Sequence, residues 1–249
     1  MARELRRVLI APERLQALGP EQCFPLLLEE QRYLAKVLRF GPGDRFAVIN
    51  GCGALWTAEL VTAEQARLLA LEQQLEPPRP SLVLAAAVVK RDFEVVIRMA
   101  VELGVDRLIP LLCERTAVQG QLRLERWRSI AAEAAEQCER LWLPQLEAPM
   151  ALPDVLTPSR DAGPAFWATT RSPVPLIALG EALAAVPDDP STVTVACGPE
   201  GGWSPQEEAM AQAAGWIPVD LGPRILRSST ASVAALVGLS GWRGSRFGL

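Results

Sequence analysis

The spacing of hydrophobic residues changes about a third of the way along the chain. Residues 46–50, 54–63 and 66–73 are short runs rich in apolar and β-favouring residues, separated by glycines and polar turn residues. This pattern predicts short antiparallel strands. Residues 81–89 form a continuous apolar run instead, which is typical of a parallel strand buried on both faces. The chain is therefore expected to begin with a small β-rich region and to continue as an α/β region.

Strands and helices are predicted to alternate after the proline-rich linker that contains Pro77, Pro78 and Pro80. The predicted elements are strands at 81–89, 105–110, 166–170, 193–197 and 217–221, and helices at 91–103, 125–141 and 205–215, with a final apolar helix to the C-terminus. Residues 144–164 contain several prolines and are expected to form a meandering connection. Alternation of this kind predicts an α/β domain of about five or six parallel strands.

The most informative stretch runs from residue 192 to residue 238. Three glycines in GPEGG, residues 198–202, allow a tight turn and a close approach of backbone or ligand. Ser204 and Glu207 are spaced as a capping box around Pro205, which predicts the start of a helix. A second glycine turn, LGPRIL, follows the strand at 217–221. The two turns are expected at the ends of neighbouring strands, where open α/β sheets bind ligands.

The first region also contains a predicted helix in YLAKVLRF. Tyr33, Leu34, Val37 and Leu38 have helical spacing, and the basic residues between and around them are expected to face outward. The segment Gly51-Cys52-Gly53 lacks the third glycine of a dinucleotide-binding loop, because Trp56 occupies that position. It is interpreted as a hairpin turn.

Composition excludes several classes of chemistry. The chain has no histidine, so an imidazole cannot act as base or metal ligand. Its five cysteines are scattered and never spaced as C-x-x-C, which argues against a disulfide framework and a zinc site. No carboxylate cluster predicts a metal either. The net charge of −4 means that any contact with RNA depends on a local basic patch.

Membrane and nucleotide-binding signatures are also missing from the sequence. No apolar run approaches the ~18 residues that a membrane helix needs, and the first residues have no secretory pattern. A cytoplasmic protein is therefore expected. GPEGGWS has neither the spacing nor the lysine of a P-loop. What remains is a pair of glycine turns with apolar neighbours, which suits an uncharged heteroaromatic group held by backbone hydrogen bonds.

Several motifs together resemble one known family. GPEGGWS, LGPRILRSSTA, KRDFEVVIRMAVELGV, ERW and EAAEQCER occur in the order seen in the 16S ribosomal RNA (uracil-N3) methyltransferases of the SPOUT class. The resemblance covers nearly the whole chain. It implies an N-terminal PUA-like β-barrel for RNA binding over residues 1–76 and a SPOUT-type domain with a trefoil knot and a mostly parallel sheet over residues 77–249. It also implies S-adenosylmethionine as cofactor, small-subunit ribosomal RNA as substrate, and a homodimer.

The same resemblance implies roles for particular residues. The cofactor would be bound by Gly198, Glu200, Gly201, Gly202, Leu221, Gly222, Ile225 and Leu226. The catalytic candidates are Arg227, Glu200 and Thr230, with Arg227 stabilising charge on the base and Glu200 shaping its loop. The RNA-binding candidates are Arg3, Arg7, Lys36 and Arg39, and the arginines at 224, 227, 243 and 246 are expected to add contacts. No residue is assigned to a metal.

Two alternatives stay open at the level of sequence. The family usually has a glutamate where this chain has Ser229, so the protein could be a non-catalytic RNA-binding or ribosome-assembly homologue. A methyltransferase acting on another nucleoside, such as a ribose 2′-hydroxyl in tRNA, is the second alternative.

Overall fold

The computed structural model describes residues 5–16, 18, 21–117, 122–156, 163–170 and 175–248. The chain divides into two compact units. The first comprises Met1–Pro77 together with Ala135–Leu143, and the second comprises Pro78–Ala134 together with Pro144–Leu249. The predicted change from a β-rich region to an α/β region is confirmed, whereas the return of residues 135–143 to the first unit was not predicted.

The first unit is built on a five-stranded sheet. Its elements are β1 (Arg7–Leu9), α1 (Pro12–Gln16), β2 (Cys23–Pro25), α2 (Leu28–Arg32), a π-helical turn (Tyr33–Val37), β3 (Arg45–Ile49), β4 (Ala54–Thr62) and β5 (Gln65–Gln74). The strand order is β1-β3-β4-β5-β2. Strands β3, β4 and β5 are antiparallel neighbours, and β1 pairs with β3 in parallel. Phe24, Phe46 and Leu34 are fully buried in its core.

The turn at Gly51-Cys52-Gly53 joins β3 to β4, as predicted, and also receives the returning segment 135–143. The backbone N–H of Gly53 donates to the carbonyl oxygen of Leu141 at 2.9 Å, and that of Leu143 donates to Gly51 at 2.9 Å. A Cβ at Gly53 would lie only 2.3 Å from the carbonyl oxygen of Leu75. The second glycine is therefore required by close packing as well as by its positive φ of 92°.

The second unit contains a parallel sheet flanked by helices. Its elements are β6 (Ser81–Ala87), α3 (Phe93–Glu102), β7 (Arg107–Leu112), α4 (Leu124–Gln137, whose last turn belongs to the first unit), β8 (Gln145–Leu146), β9 (Met150–Ala151), α5 (Leu152–Leu156), β10 (Ala165–Ala168), β11 (Ile177–Ala178), α6 (Leu179–Ala184), β12 (Thr192–Cys197), α7 (Pro205–Ala213), β13 (Ile217–Asp220) and α8 (Ser228–Phe247).

The strand order of this sheet is β11-β13-β10-β12-β6-β7-β8, and β9 also pairs with β7. All these pairings are parallel. The mixed α/β class with a mostly parallel sheet is confirmed. Within the described residues the strands number eight rather than five or six, because three two-residue strands, β8, β9 and β11, were too short to produce a pattern. The predicted trefoil knot is not tested by strand order and stays a prediction.

Helices cover both faces of the sheet. On one face α8 contacts α3, α6, β6 and β12. On the other face α5 and α7 pack over a cluster that includes Ile109, Trp167 and Ala196. Alternate residues of each central strand point to opposite faces. This explains why residues 82–87 of β6 are all buried and why that strand has no polar alternation.

One prediction about the sheet was wrong. The strands that precede the two glycine turns, β12 and β13, are not neighbours, because β10 lies between them and pairs with both. The sequence of β10 is a weak strand signal, and nothing local in it reports which strands it joins. The consequence is that a third chain segment, Ala168 to Thr170, lies between the two turns.

Connecting segments were predicted less accurately than central strands. Residues 144–164 contain β8, β9 and α5 within their described part, where a meandering connection was expected. The helix predicted over 125–141 ends at Gln137, and the chain then reverses through Glu139, which has a positive φ of 63°. In the part of the chain that the structure describes, no helix is long and apolar enough to cross a lipid bilayer.

Candidate functional site

A pocket of about 550 Å³ lies at the carboxyl ends of β10, β12 and β13. Three segments form it: the end of β10, the loop after β12 and the loop after β13. Its lining residues are Arg115, 168–170, 197–203, Pro205, Glu208, Leu221, 224–228 and Ala231. This is the edge of a parallel sheet at which ligands bind in open α/β folds. We call it the loop pocket.

The loop after β12 is held by the indole of Trp203. The ring packs against Gly198 so closely that a Cβ at that glycine would lie 2.8 Å from it. The indole Nε1 donates to the carbonyl oxygen of Ala168 at 2.9 Å, which joins the loop to the end of β10. Gly198 is therefore required because it makes room for the tryptophan, and not only because it permits a turn.

Arg115 holds the same loop from the other side. Its Nη1 donates to the carbonyl oxygens of Gly201 at 3.2 Å and of Trp203 at 3.0 Å. A Cβ at Gly201 would lie 3.0 Å from the Cβ of Arg115. Arg115 was not among the predicted site residues. Its position just after β7, at the carboxyl edge of the sheet, was the signal that could have identified it.

The capping box predicted at the start of α7 is confirmed, and it does more than begin a helix. Ser204 accepts from the backbone N–H of Glu207 at 3.2 Å, and Glu207 accepts from that of Ser204 at 2.8 Å. The second carboxylate oxygen of Glu207 accepts from the N–H of Glu114 at 2.8 Å. Glu207 is only 4% exposed. One buried carboxylate thus joins the loop after β7 to the loop after β12.

The loop after β13 has fewer restraints. The N–H of Gly222 donates to Asp220 Oδ1 at 3.0 Å, and Gly222 has a φ of +116°. Ile225 is 74% exposed, although it is a large apolar residue. Among the described residues, the backbone groups of Ile225 and Leu226 have no hydrogen-bond partner. Free backbone groups beside apolar side chains are what a flat heteroaromatic ligand requires.

Ser228 joins the two loops. It is the first residue of α8, and its hydroxyl donates to the carbonyl oxygen of Gly198 at 2.5 Å. Ser228 is 7% exposed. The start of α8 is thereby fixed next to the loop after β12, and the predicted convergence of the two glycine turns on one site is present in the structure.

The predicted site residues differ in where they lie. Those that line the loop pocket are Gly198, Glu200, Gly201, Gly202, Leu221, Ile225, Leu226 and Arg227. Gly222 and Thr230 do not line it. Thr230 is an exposed residue in the first turn of α8, and the residue at the N-cap position is Arg227.

Charges of both signs surround the pocket. The lining side chains Arg115, Arg224 and Arg227 are cationic, while Glu200 and Glu208 are anionic. The hydroxyl of Thr169 donates to Glu208 Oε1 at 3.4 Å. Such a mixture suits a ligand that carries opposite charges, with a polar group at one end and an aromatic group at the other.

The thiol of Cys197, which also lines the pocket, is not a nucleophile at neutral pH. Burial raises its pKa to about 12 from an ordinary value of 9.0, because the thiolate would lose its hydration. Cys113 behaves in the same way: burial, followed by the charge of Glu207, raises its pKa to about 12. Both residues are therefore neutral, and the chemistry of the site depends on its arginines and carboxylates.

The RNA-binding candidates also differ in their surroundings. Arg3 lies outside the described residues. Arg7 forms an ion pair with Glu139 at 2.7 Å, and its side chain is only 16% exposed. Lys36 and Arg39 are exposed. Lys36 lies in the π-helical turn, and Arg39 adopts a left-handed conformation with a φ of 59°. Unusual backbone of this kind is enriched at functional sites.

The expectation that the arginines near the C-terminus all contact RNA was wrong for Arg243. This side chain is buried, forms an ion pair with Asp106, and donates to the carbonyl oxygen of Gly104 at 2.9 Å. Arg246 forms an ion pair with Asp188 and donates to the carbonyl oxygen of Val186 at 2.8 Å. Sequence position did not reveal these partners because all of them lie at least 58 residues away.

Comparison with known proteins places the chain among RNA-modifying enzymes. Residues 76–240 match the family described as RNA methyltransferase domain, and residues 29–70 match the RNA methyltransferase PUA domain. The ribosomal RNA small subunit methyltransferase E of Synechocystis sp. is 38% identical over 237 residues, which covers 92% of this chain and 75% of that protein.

Two solved structures extend the similarity to the fold. A protein of Legionella pneumophila, described as a methyltransferase with the cofactor SAM bound, has a TM-score of 0.82 at 27% identity and covers 96% of this chain and 98% of its own. The ribosomal RNA small subunit methyltransferase E of Neisseria gonorrhoeae, bound to S-adenosyl methionine, has a TM-score of 0.80 at 25% identity, with the same coverage of 96% and 98%.

Proposed function

This chain belongs to the RNA methyltransferase family, and on that basis we propose that it transfers the methyl group of S-adenosylmethionine to N3 of a uridine in 16S rRNA of the small ribosomal subunit. The observation that carries the proposal is the meeting of the loops 198–203 and 221–227 at one pocket, in a chain whose residues 76–240 match that family.

The residues of the loop pocket fit S-adenosylmethionine. Its volume of about 550 Å³ lies within the usual range for small-molecule sites, roughly 300–1,000 Å³. The apolar side chains of Ile225 and Leu226, whose backbone groups have no hydrogen-bond partner among the residues that the structure describes, provide a wall for an adenine ring. Gly202, which lines the pocket, has open space where a Cβ would lie, so a ligand can approach the loop 198–203 closely. The arginines and glutamates of the lining match the carboxylate and the cationic groups of the amino-acid part.

When bound, the cofactor supplies an electrophilic methyl group on a positively charged sulfur. The bound cofactor would donate this methyl group to N3 of uracil, and the N3 proton would pass to water. We assign to Arg227 the stabilisation of negative charge on the base as that proton is lost. We assign to Glu200 the shaping of the loop 198–203, and to Thr230, in the first turn of α8, a position near the incoming base. No imidazole contributes, because the chain has no histidine.

The target base must leave its stack to be reached, as enzymes that act on base atoms require. We propose that residues 1–76 bind RNA and that residues 77–249 catalyse the transfer. The exposed cations Lys36 and Arg39 support an RNA interface on the first unit, and Arg3 and Arg7 remain candidates. The proposed assembly is a homodimer that acts in the cytoplasm, where ribosomal subunits are available. Sedimentation of the purified protein tests the dimer.

Mass spectrometry of 16S rRNA from a deletion strain tests the function. We expect one N3-methyluridine to disappear and to return when the purified protein and S-adenosylmethionine are added to small subunits. Loss of a different modified nucleoside would indicate another target. If no modification changes and calorimetry detects no binding of S-adenosylmethionine, the protein is a non-catalytic homologue, and Ser229 in place of the family's glutamate becomes the first residue to examine.

A further inference from the structure

A second cavity opens at the same edge of the sheet, outside the loop pocket. Its volume is about 590 Å³. It lies beyond the carboxyl end of β6, between the start of α3 and the start of α4. The lining residues are Val88, Val89, Lys90, Asp92, Phe93, Glu94, Val95, Ala117, Leu122, Arg123 and Trp127. We call it the β6 cavity. None of these residues belongs to the site described above.

The floor of the β6 cavity is apolar and aromatic. Val88, Val89, Phe93 and Trp127 are each 5% exposed or less. The rings of Phe93 and Trp127 are in contact, with centroids 4.8 Å apart and planes tilted by 59°. The floor is therefore rigid and apolar, and the parts of the lining more open to a base are the half-buried Val95 and Leu122 beside it. Apolar contact of this kind is tolerant of base identity.

The rim of the cavity carries cations. Lys90 and Arg123 both line it and are exposed. Within the described ranges, neither has a carboxylate partner. Arg91, which is also exposed, adds a third positive charge next to Lys90. Lysine and arginine on the rim of a pocket are the usual partners of phosphate.

Two acidic residues also line the cavity and reduce its positive charge. Glu94 is paired with Arg126 at 3.6 Å, so its charge is largely compensated. Asp92 precedes α3 in a left-handed conformation with a φ of 67° and makes no side-chain cap. Lys90, Arg91 and Arg123 outnumber this one carboxylate. The local charge therefore favours a polyanion, although the whole chain has a net charge of −4.

The β6 cavity lies next to the loop pocket. Strands β6 and β12 are hydrogen-bonded neighbours, so the loops that follow them are about one strand spacing, ~4.8 Å, apart at the sheet. The segment Cys113–Ala117 separates the two sites, because Arg115 lines the loop pocket and Ala117 lines the β6 cavity. The hydroxyl of Thr116 accepts from the N–H of Cys113 at 2.9 Å and fixes this wall.

We propose that the β6 cavity binds a nucleotide of the RNA substrate adjacent in sequence to the methylated uridine. Its base lies on the floor formed by Phe93, Trp127 and the valines, and its phosphate is held by Lys90 and Arg123. This inference rests on the proposed function. Such a subsite would hold the strand on one side of the extruded uridine and so position the target at the loop pocket.

The first test changes the rim charges. We expect Lys90→Gln with Arg123→Gln to weaken binding of a single-stranded 16S rRNA fragment about tenfold at low salt and to reduce the salt slope of log Kd by about 1.4, which is 0.7 for each of two phosphate contacts. Arg98→Gln is the control, because Arg98 is also an exposed cation, lies on α3, pairs with Glu102 and does not line the cavity. An RNA affinity and salt slope equal to those of Arg98→Gln would overturn the proposal.

The second test identifies the nucleotide. RNA fragments are made abasic at the position 5′ or 3′ of the target uridine. We expect one of the two to bind the wild-type protein more weakly. The loss should be smaller in the Lys90→Gln and Arg123→Gln variant, because the base contact and the phosphate contact belong to one bound nucleotide and each helps to hold the other in place. Equal, independent losses would contradict a shared site. The affinity of the variant for S-adenosylmethionine should be unchanged. Absence of methyl transfer by the wild type would count against the proposed function alone, since these readouts measure RNA binding.

Discussion

Arg115 lies against Gly201, and its guanidinium donates to that glycine's carbonyl oxygen at 3.2 Å across 86 positions of sequence. With its second bond, to the carbonyl oxygen of Trp203, it fixes the C-terminal half of the loop 198–203, which forms one wall of the loop pocket. Arg115 touches the protein backbone, so we regard it as a positioning residue. The conformation of the loop therefore depends on a side chain that no local pattern associates with it.

The first prediction concerns Arg115. Arg115→Ala removes both hydrogen bonds, and we expect the Kd for S-adenosylmethionine to rise about tenfold, because each net hydrogen bond contributes ~0.5–1.5 kcal/mol. Arg115→Lys should recover part of this loss. Isothermal titration calorimetry measures the affinity, and kcat at saturating cofactor should change much less than KM. An equal fall in kcat for both variants would indicate a direct catalytic role instead.

The second prediction concerns Gly198. A methyl group at this position would lie 2.8 Å from the indole of Trp203, so Gly198→Ala must displace the ring or the loop. We expect binding of S-adenosylmethionine to be lost or weakened more than tenfold, by analogy with the ~1–3 kcal/mol cost of overpacking. Gly180→Ala is the control, since a Cβ there has no neighbour within 4 Å. Equal affinities for the two variants would show that the packing of Trp203 does not matter.

The third prediction separates the proposed roles of Arg227 and Glu200. Arg227→Ala should lower kcat about 10²–10³-fold with little change in cofactor affinity, as expected for a group that stabilises developing charge. Arg227→Lys should retain more activity. Glu200→Ala should act mainly on KM for the cofactor. The rate of methyl transfer in single-turnover experiments measures these effects. An unchanged rate in both alanine variants would contradict the roles assigned to Arg227 and Glu200.

The fourth prediction concerns the two buried thiols. Their pKa values of about 12 mean that Cys113 and Cys197 keep their protons in the folded protein at pH values where an unfolded chain loses them. The free energy of unfolding should therefore be unaffected by these thiols below pH 9 and should fall as the pH rises from about 9 toward 12. At pH 8 iodoacetamide should modify the exposed Cys52 and spare both, as peptide mass mapping would detect.

The fifth prediction concerns the buried ion pair of Arg243 and Asp106, whose side chains are 8% and 13% exposed. Arg243→Met leaves Asp106 without this partner, and we expect the free energy of unfolding to fall by about 3–5 kcal/mol. Arg246→Met is the control, because the partner of Arg246, Asp188, is fully exposed. Urea unfolding should show a much smaller change for the control. Similar losses in both variants would contradict the distinction.

The central strands could be predicted from sequence because their patterns are local. Strand β12 was predicted to within one residue, and both residues of the capping box of α7 were predicted correctly. Both features depend on neighbours along the chain. The order of strands in the sheet is different in kind. It depends on pairing between distant segments. The sequences of β10, β12 and β13, taken one at a time, do not indicate that β10 lies between the other two.

The same reason explains what was missed at the site. Glycines that turn the chain were recognisable, so the two loops were found. The residues that hold those loops, Arg115, Trp203 and Ser228, act through contacts with segments 30 to 88 positions away or through ring packing. Burial of Arg243 was missed likewise, because an arginine in a terminal helix has the same local pattern whether it faces water or an aspartate.

The unequal restraint of the two loops has a kinetic consequence. The loop 198–203 is held by hydrogen bonds from Arg115, Trp203 and Ser228. In the loop 221–227, the backbone groups of Ile225 and Leu226 have no hydrogen-bond partner among the described residues. In the described residues, the loop 221–227 is held by fewer side-chain hydrogen bonds than the loop 198–203, the bond from Gly222 to Asp220 being one of them. We therefore expect the loop 221–227 to open for entry of the cofactor and release of the product. Amide hydrogen exchange should then be faster at Ile225 than at Gly202, whose N–H donates to the carbonyl oxygen of Pro199 at 2.9 Å. Substitutions that rigidify the loop 221–227 should lower the turnover rate, whereas substitutions that rigidify the loop 198–203 should not.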